Sequence, residues 1–276
     1  MKIPFIKMHG TGNDFIVIDC RDGKLGVMRE ELGALAKRLC DRRFGIGADQ
    51  ILLLNNSDKA DFLMRIFNAD GSEVEMCGNG IRCFAKYVWD RKLSAKSMLE
   101  IETAAGIIKP EKSGDLVKVD MGAPVLDGRQ IPVDLEGLIK DYPLTIEDKT
   151  FNITCVPMGN PHAVMFVDDV DGFDVKRFGP RIETHRLFPK KINVEFVQAV
   201  DQKTLRMRVW ERGAGETMAC GTGASAAAVA AHLKGIAEKK VTVKLLGGEL
   251  LIELHENGHV YMTGPAEEVF EGQIQR

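Results

Sequence analysis

Two cysteines stand in nearly identical glycine-containing phrases of this sequence. Cys77 opens Cys-Gly-Asn-Gly, and Cys220 opens Cys-Gly-Thr-Gly. Where a helix follows such a phrase, its dipole lowers the thiol pKa, and its free N–H groups can hold a carboxylate. A thiolate and a thiol can together take a proton from one face of a carbon and deliver one to the opposite face. The pair therefore predicts inversion at an amino-acid α-carbon.

Apolar periodicity predicts the helices that must position these thiols. After Cys77, apolar residues recur at helical spacing as far as Trp89. After Cys220 the segment is rich in alanine and apolar on every side, so we expect a buried helix that stops near Gly235. A further amphipathic helix is predicted over residues 29–41.

Most of the remaining sequence has the pattern of short strands. These segments are rich in Val, Ile and Phe and are bounded by Gly, Pro, Asn or Asp. The examples are residues 15–19, 50–54, 62–67, 164–167, 194–197, 205–210, 241–245 and 249–254.

The sequence contains an internal repeat. Residues 63–68 and 206–211 share a Met-Arg-aliphatic-aromatic-polar order, and each segment ends at the same distance before its cysteine. Gln50 and Asn193 each open an apolar run at the same spacing upstream of those segments. The repeat predicts an α/β fold of the α+β type, with two pseudo-symmetric domains that each wrap a strand-rich layer around a central helix.

The predicted domains are residues 1–121 and 122–266, with the tail 267–276 returning to the first domain. If the halves pack about a pseudo-twofold axis, the two cysteines face each other across a cleft between the domains. The substrate carboxylate would then lie between two helix N-termini, which stabilises charge that develops as the α-proton leaves.

Composition excludes several classes of protein. The chain has 276 residues, 45% of them hydrophobic, and a formal net charge of -3 without a basic stripe, so we expect no nucleic-acid partner. No apolar stretch approaches the roughly 20 residues of a membrane span, and no signal peptide is visible, so we expect a cytoplasmic protein. The six cysteines include no CxxC pair, and the Cys-Gly phrases lack the third glycine of a dinucleotide fingerprint; we expect no metal and no cofactor.

Each candidate residue also has a structural interpretation. A lone cysteine is usually a small buried residue, and we interpret Cys20, Cys40, Cys83 and Cys155 in that way. Asparagines taken singly fit turns or caps, His162 fits structural hydrogen bonding as well as proton chemistry, and Glu211-Arg212 fits a surface ion pair. We interpret Arg29, Arg42, Arg43 and Lys190-Lys191 as solvated charge. The repeat favours function for Asn68 and Glu211, because they occupy equivalent strand ends beside the cysteines.

Longer phrases resemble a known family. These are Met-His-Gly-Thr-Gly-Asn-Asp-Phe at 8–15, Gly-Ala-Asp-Gln at 47–50, Glu-Met-Cys-Gly-Asn-Gly-Ile-Arg-Cys at 75–83, Gly-Asn-Pro-His at 159–162, Trp-Glu-Arg-Gly-Ala-Gly-Glu-Thr at 210–217 and Ala-Cys-Gly-Thr-Gly-Ala at 219–224. Together they resemble diaminopimelate epimerase over essentially the whole chain. The resemblance implies two similar α/β halves, each a barrel-like sheet around a central helix. It also implies interconversion of LL- and meso-diaminopimelate without pyridoxal phosphate or metal, in lysine and peptidoglycan precursor biosynthesis.

The resemblance also implies roles for individual residues. Cys77 and Cys220 would be the two acid/base thiols, with His162 and Glu211 assisting them. Gly78, Asn79, Gly221 and Thr222 would form the cradle for the carboxylate. The other substrate contacts would be Asn13, Gln50, Asn68, Asn160, Asn193, Glu211 and Arg212. Phe270 would be a contact between subunits of a homodimer, and its alternative role is core packing.

Three alternatives stay open at this point. A proline or hydroxyproline racemase resembles the Cys-Gly phrases but not residues 159–162 or 210–217. An isomerase of the phenazine-synthesis type shares the fold without retaining the second cysteine. A non-catalytic amino-acid-binding protein could use the same cleft, and exchange of the substrate α-hydrogen with solvent deuterium distinguishes it from an enzyme.

Overall fold

The computed structural model describes residues 2–23, 29–128 and 131–275, and these residues form two compact units. The first unit contains the described residues up to Val119 and those from Gly264 onward, and the second is Asp120–Thr263. Each unit is a strand-rich sheet with a buried helix, which confirms the predicted fold class. The bounds predicted for the domains remain a prediction.

The first unit begins with two strands and then alternates helices and strands. In chain order its elements are β1 (Lys2–Gly10), β2 (Asn13–Asp19), a 3-10 turn (Arg29–Glu31), α1 (Leu32–Cys40), β3 (Gln50–Asn55), β4 (Phe62–Asn68), β5 (Glu73–Val74), α2 (Gly78–Asp90), β6 (Ile101–Thr103), β7 (Gly106–Ile108), β8 (Glu111–Ser113) and β9 (Leu116–Asp120).

The second unit repeats this arrangement. Its elements are β10 (Tyr142–Ile146), β11 (Lys149–Cys155), β12 (His162–Phe166), α3 (Val175–Glu183), β13 (Asn193–Asp201), β14 (Thr204–Glu211), β15 (Gly215–Thr217), α4 (Gly221–Leu233), β16 (Lys240–Leu245), β17 (Gly248–Leu254) and β18 (Val260–Gly264); the chain then returns to the first unit as β19 (Glu267–Gln275).

The two sheets have matching strand orders. In the first unit the order is β19-β1-β2-β3-β4-β6-β7, with β5 paired to β4 and β8 paired to β9 as a hairpin. The strands of the second unit follow the order β10-β11-β12-β13-β14-β16-β17-β18, with β15 paired to β14. The pairs β2–β3 and β4–β6 are parallel, as are β12–β13 and β14–β16. The matching order is what a duplicated ancestral unit predicts, and β19 stands where β10 stands in the second unit.

Each sheet is buried on both faces, because a helix covers each side. In the first unit Ile16 and Ile51 pack with α1 residues such as Leu35 and Leu39. Their strand neighbours Phe15 and Leu52 point the other way, since side chains alternate along a strand, and lie against α2. Continuous apolar runs result, as is usual for strands covered on both faces.

The second unit follows the same rule with one difference. Val194 and Phe196 of β13 pack with Val175 and Phe178 of α3. The residue between those two strand positions, Glu195, is therefore directed toward α4, and it is completely buried there. A carboxylate thus lies on the face that carries Leu52 in the first unit.

Helix α3 is a departure from the sequence prediction, which placed no helix there. Its residues Gly179 and Pro180 normally indicate a turn. The close packing of Gly179 on Trp210 explains the glycine, because an ideal Cβ atom would lie 2.6 Å from the Cγ atom of Trp210. Asp174 caps the helix by accepting from the Arg177 amide.

Candidate active site

The Cys77 thiol caps the N-terminus of α2. Its backbone is extended, with φ -139° and ψ 118°, and its Sγ atom accepts the Gly80 N–H over 3.4 Å. An ideal Cβ atom on Gly80 would lie 3.2 Å from Leu52, so the tight first turn uses glycine. Gly78 and Asn79 occupy the first two helical positions, at the positive end of the helix dipole.

Asn13 reaches Cys77 from the tight hairpin that joins β1 and β2. Thr11 and Gly12 both have positive φ, 52° and 84°, which defines the two-residue turn that matches the twist of paired strands. The thiol of Cys77 lies 3.7 Å from Oδ1 of Asn13, and Nδ2 of Asn79 donates to the same oxygen over 3.3 Å. The phrase His-Gly-Thr-Gly-Asn is therefore a turn that delivers an amide to the thiol.

A charged network fixes the orientation of Asn13. Its Nδ2 atom donates to Asp49 over 2.8 Å, and Arg42 bridges Asp49 and Asp14 with contacts of 2.7 and 2.8 Å. The buried ammonium of Lys7 also donates to Asp14, over 2.7 Å. Arg42 is 58% exposed, in keeping with its interpretation as solvated charge, and the chain reversal after α1 also brings this side chain to the carboxylates at the start of β2 and β3.

Gln50 and Asn68 form a second polar pair in the first unit. The two residues are directly opposite in the β3–β4 ladder, and Nε2 of Gln50 donates to Oδ1 of Asn68 over 2.8 Å. Nδ2 of Asn68 donates to Ser72. Oε1 of Gln50 is buried without a hydrogen-bond partner among the described residues, so it is available to accept from a ligand ammonium group.

The Cys220 thiol caps α4 with almost the same geometry. Its φ and ψ are -124° and 113°, and its Sγ atom accepts the Gly223 N–H over 3.4 Å. The Thr222 hydroxyl also lies 3.4 Å from Sγ. Gly221 and Thr222 thus stand at the helix start as Gly78 and Asn79 do in the first unit. The side chain of Cys220 is more deeply buried than that of Cys77.

Cys220 is surrounded by carboxylates. Burial raises the pKa of this thiol well above its ordinary value, and the charges of Glu211 and Glu195 raise it further. Contacts with Thr222 and the Gly223 N–H oppose that shift without reversing it. The prediction of an easily ionised thiol is therefore wrong for Cys220, because burial and negative charge outweigh the helix terminus. This thiol is held in its protonated form.

Glu211 belongs to the same cluster. Burial raises the pKa of its carboxyl group, while hydrogen bonds from Thr217 and Cys220 and the charge of His162 lower it. Oγ1 of Thr217 donates to Oε1 of Glu211 over 2.5 Å. The alternative interpretation of a surface ion pair with Arg212 does not hold, because the Glu211 carboxylate turns inward to these partners.

His162 is completely buried at the start of β12. Its Nδ1 atom lies 2.6 Å from Oε1 of Glu195, and its Nε2 atom lies 2.8 Å from Oδ1 of Asn160. The phrase Gly-Asn-Pro-His therefore brings an asparagine and a histidine into direct contact. The pairing of a ring nitrogen with a carboxylate fixes both the orientation and the tautomer of an imidazole.

Asn193 connects two loops of the second unit. Its Nδ2 atom donates to the carbonyl oxygen of Pro161 over 2.9 Å, and its Oδ1 atom accepts the Arg212 N–H over 2.9 Å. The Arg212 guanidinium is exposed and donates to the Lys190 carbonyl oxygen over 3.3 Å. Asn193 therefore fixes the backbone that carries Arg212 beside the phrase containing Asn160.

The sequence was compared with models of known protein families. The family described as diaminopimelate epimerase matches residues 5–126 and 154–269, and each matched segment contains one of the two cysteines. The chain belongs to the diaminopimelate epimerase family. This confirms the resemblance seen in the motifs.

Relatives within the diaminopimelate epimerase family are similar along their whole length. A diaminopimelate epimerase of Acetivibrio thermocellus is 53% identical, with 98% of each chain covered. One from Moorella thermoacetica is 54% identical, again with 98% of each chain covered. One from Methanococcus maripaludis is 52% identical, covering 98% of this chain and 99% of the relative.

Solved structures outside the family share the fold. A phenazine biosynthesis protein of the PhzF family from Bacillus anthracis superposes with a TM-score of 0.73 at 17% identity, covering 100% of both chains. A hydroxyproline epimerase from Agrobacterium vitis superposes with a TM-score of 0.69 at 16% identity, covering 99% of this chain and 91% of that one. At these identities the likeness concerns the fold alone.

The remaining cysteines agree with their structural interpretation. Cys40, Cys83 and Cys155 are buried and Cys20 is half-buried, and all four are free thiols. Burial raises the pKa of each to about 12. Within residues 2–23, 29–128 and 131–275, no three His, Cys, Asp or Glu side chains are placed to hold a metal ion. None of the helices formed by these residues combines the length and hydrophobicity of a membrane span.

Two buried charged residues near the thiols were missed by the sequence reasoning. Arg82 is completely buried in α2, where it donates to the carbonyl oxygens of Pro265 and Gly78. Burial lowers the pKa of its guanidinium to about 10. Glu195 is the second such residue. The signal that could have found it is a single acidic residue within an apolar strand.

Phe270 lies on the edge strand β19 and is 47% exposed. Its ring packs edge-to-face on Phe5, with 5.9 Å between the ring centroids. Val269 beside it is 54% exposed. The alternative of core packing is therefore wrong for Phe270, because half of the side chain is open to solvent.

Proposed function

We propose that this protein interconverts LL-2,6-diaminopimelate and meso-2,6-diaminopimelate by a two-base mechanism with Cys77 and Cys220, without a cofactor. Membership of the diaminopimelate epimerase family supports the substrate. The observation that carries the mechanism is that each unit presents one cysteine as the cap of a buried helix, with Sγ 3.4 Å from the amide nitrogen three residues later.

The helix termini bind the carboxylate at the reacting carbon. The N–H groups of Gly78, Asn79, Gly221 and Thr222 lie in the first turns of α2 and α4, at the positive ends of the helix dipoles. They stabilise negative charge that spreads from the α-carbon onto the carboxylate as the proton leaves. Such preorganised donors supply much of the stabilisation in reactions of this type.

The thiols transfer the protons. In one direction the thiolate of Cys77 takes the α-proton and becomes a thiol, while the thiol of Cys220 delivers its proton to the opposite face and becomes a thiolate. The raised pKa of Cys220 supports its role as the acid in this direction. In the reverse direction the two roles exchange. His162 and Glu211 assist by exchanging protons with the thiols and stabilising the charges.

The other polar residues bind the substrate. Oε1 of Gln50 and the carbonyl oxygens of the asparagine side chains accept from ammonium groups, and Arg212 binds the distal carboxylate. The residues assigned to this binding are Asn13, Gln50, Asn68, Asn160, Asn193, Glu211 and Arg212. The distal contacts select a substrate with an amino-acid group at each end.

The reaction belongs to lysine and peptidoglycan precursor biosynthesis, and we place the protein in the cytoplasm as a homodimer. The exposed part of Phe270 on the edge strand β19 supports a contact with a second copy. Unpaired backbone groups along an edge strand favour association with another chain.

Incubation of LL-diaminopimelate with the purified protein in deuterated water, with no added cofactor, tests the proposal. We expect α-deuterium in the meso product, measured by NMR. L-proline and trans-4-hydroxy-L-proline in parallel samples test the racemase alternative. Binding of diaminopimelate without any exchange of its α-hydrogen would instead identify a binding protein.

A further inference from the structure

Glu195 is a buried carboxylate inside an apolar strand. It is completely buried, and its neighbours Val194 and Phe196 belong to the hydrophobic core of the second unit. A charged group in such a place is costly unless a partner compensates it. The described residues provide one such partner, the Nδ1 atom of His162, 2.6 Å from Oε1.

The carboxylate is also confined by the start of α4. An ideal Cβ atom on Gly223 would lie 2.8 Å from Oε1 of Glu195, so glycine at this position gives the carboxylate its room. Oε2 is buried and has no hydrogen-bond partner among the residues that the structure describes. A buried acceptor without a hydrogen-bond partner destabilises the fold, so the presence of this carboxylate needs a reason other than stability.

The first unit shows that the fold does not need charge at this place. Phe15 pairs with Gln50 as His162 pairs with Asn193 in the equivalent parallel strands. Two residues further along each strand are Leu52 and Glu195. Leu52 and Phe15 lie 3.2 and 3.4 Å from the ideal Cβ position of Gly80, which is equivalent to Gly223. An apolar Phe–Leu pair fills the space that holds His–Glu in the second unit.

We propose that Glu195 is a positioning residue for His162, a role that rests on the proposed function. Oε1 accepts the Nδ1–H proton, and Oδ1 of Asn160 accepts the Nε2–H proton, so the carboxylate stabilises the imidazolium in this arrangement. The exchangeable position is Nε2: when it releases its proton, the Asn160 amide turns to present Nδ2 and the ring keeps the Nδ1–H form. Glu195 itself neither gains nor loses a proton, and it acts through His162.

Nitrogen-15 NMR of the imidazole rings tests this role directly. We expect the His162 signals of the wild-type protein to show a protonated, hydrogen-bonded Nδ1, and we expect Glu195→Gln to shift the ring toward the Nε2–H form. His162→Gln identifies which of the histidine signals is His162. Unchanged His162 signals in Glu195→Gln would overturn the proposal, whether or not the protein epimerises diaminopimelate.

Kinetics provide the second readout. We expect Glu195→Gln to lower kcat by about 10- to 100-fold, as is usual for residues that orient an active group, with a much smaller change in KM. In a His162→Gln background the same change should cost almost nothing more, because the two residues act as one unit. An equal loss in both backgrounds would contradict action through His162.

Two controls separate positioning from folding. Asp120→Asn breaks an imidazole–carboxylate pair of similar geometry but greater exposure, in which Nδ1 of His259 lies 2.8 Å from Oδ2 of Asp120, and we expect it to leave kcat unchanged. The double variant His162→Phe with Glu195→Leu copies Phe15 and Leu52 of the first unit. We expect it to fold with at least wild-type thermal stability while losing activity; a loss of folding would overturn the inference.

Discussion

Gly223 and Glu195 approach each other so closely that a methyl group on the glycine would lie 2.8 Å from the carboxylate oxygen. The glycine therefore does more than start a helix. It leaves room for a charged side chain that also contacts the imidazole of His162.

Gly223→Ala should displace Glu195 and with it His162. We expect a loss of about 1 to 3 kcal/mol of unfolding free energy, the usual cost of overpacking, together with a large fall in kcat. Gly80→Ala is the matched control, because a methyl group at either glycine lies 3.3 Å from Cβ of the capping cysteine, while at Gly80 it meets the apolar Leu52 side chain at 3.2 Å instead of a carboxylate at 2.8 Å. We expect Gly80→Ala to cost less than Gly223→Ala in both measurements. Chemical denaturation and initial rates of both variants give the comparison, and equal effects would contradict this account.

Cys77→Ala and Cys220→Ala should each abolish epimerisation, because each removes one of two obligatory proton carriers. We expect rates to fall by at least about 100- to 10,000-fold, while circular dichroism remains that of the wild type. Cys155→Ala removes a buried thiol that the site does not use and should leave the rate almost unchanged. Substantial turnover by Cys77→Ala or by Cys220→Ala would rule out the two-base mechanism.

Glu211→Gln should lower the pKa of Cys220. Burial and the charges of Glu211 and Glu195 raise that pKa in the wild type, and the substitution removes one charge without changing the shape of the side chain. In a Cys77→Ala background the ultraviolet absorbance of the Cys220 thiolate is obtained by subtracting the titration of the double variant Cys77→Ala with Cys220→Ala, because the other four thiols also have raised pKa values, of about 12. A titration midpoint that stays in place would show that Glu211 does not act on the thiol.

Asp14→Asn should destabilise the protein at neutral pH and much less in acid. Burial of Asp14 raises its pKa, but hydrogen bonds from Arg42 and Lys7 outweigh burial and hold the pKa far below its ordinary value. A lowered folded-state pKa contributes stability that is complete above the unfolded value of about 3.9 and is lost as pH falls below it. We expect a deficit of about 1 to 3 kcal/mol at pH 7 that shrinks below about pH 4.

Thermal or urea unfolding of Asp14→Asn across this pH range provides the measurement. Asp115→Asn is the control, because Asp115 is exposed. A deficit that is constant with pH would mean that the carboxylate of Asp14 is not what stabilises the hairpin carrying Asn13.

Phe270→Glu should weaken self-association, because it places a charge on the exposed side of β19. We expect sedimentation velocity to show monomers at concentrations where the wild type is a dimer. Gln273→Glu adds the same charge on the opposite face of the strand and should leave the dimer intact. If the wild-type protein sediments as a monomer at high concentration, Phe270 is not a subunit contact.

Much of the fold was predictable from local sequence signals. The strand predicted over residues 50–54 is Gln50–Asn55, and the helices expected after the two cysteines are Gly78–Asp90 and Gly221–Leu233. These strands and helices are determined by patterns only a few residues long: alternating or continuous apolar runs, and a cysteine in a helix-capping position. Helix α3 was missed because Gly179 is required by Trp210, a contact that no local pattern contains. The repeat could have predicted it, since α1 occupies the equivalent crossover.

The electrostatics of the site were less predictable. The capping position of Cys220 was visible in the sequence, yet its pKa depends on Glu195 and Glu211, which come from different strands. The ion pairs of the exposed Arg42 were likewise not predictable, because they form only when β2 and β3 bring Asp14 and Asp49 together. Charge distribution depends on which strands become neighbours, and a single sequence gives that information only through its repeat.

Strand β19 has a consequence for the order of events on the ribosome. It pairs with β1 along nearly its whole length, so the first sheet stays incomplete until the entire second unit has been synthesised. The second unit, in contrast, is contiguous in the chain and can fold as soon as it emerges. Contacts between segments so far apart in the chain form slowly. Until β19 is available, β1 has an unpaired, apolar edge. We therefore expect the nascent first unit to be the part of this protein that most needs a chaperone.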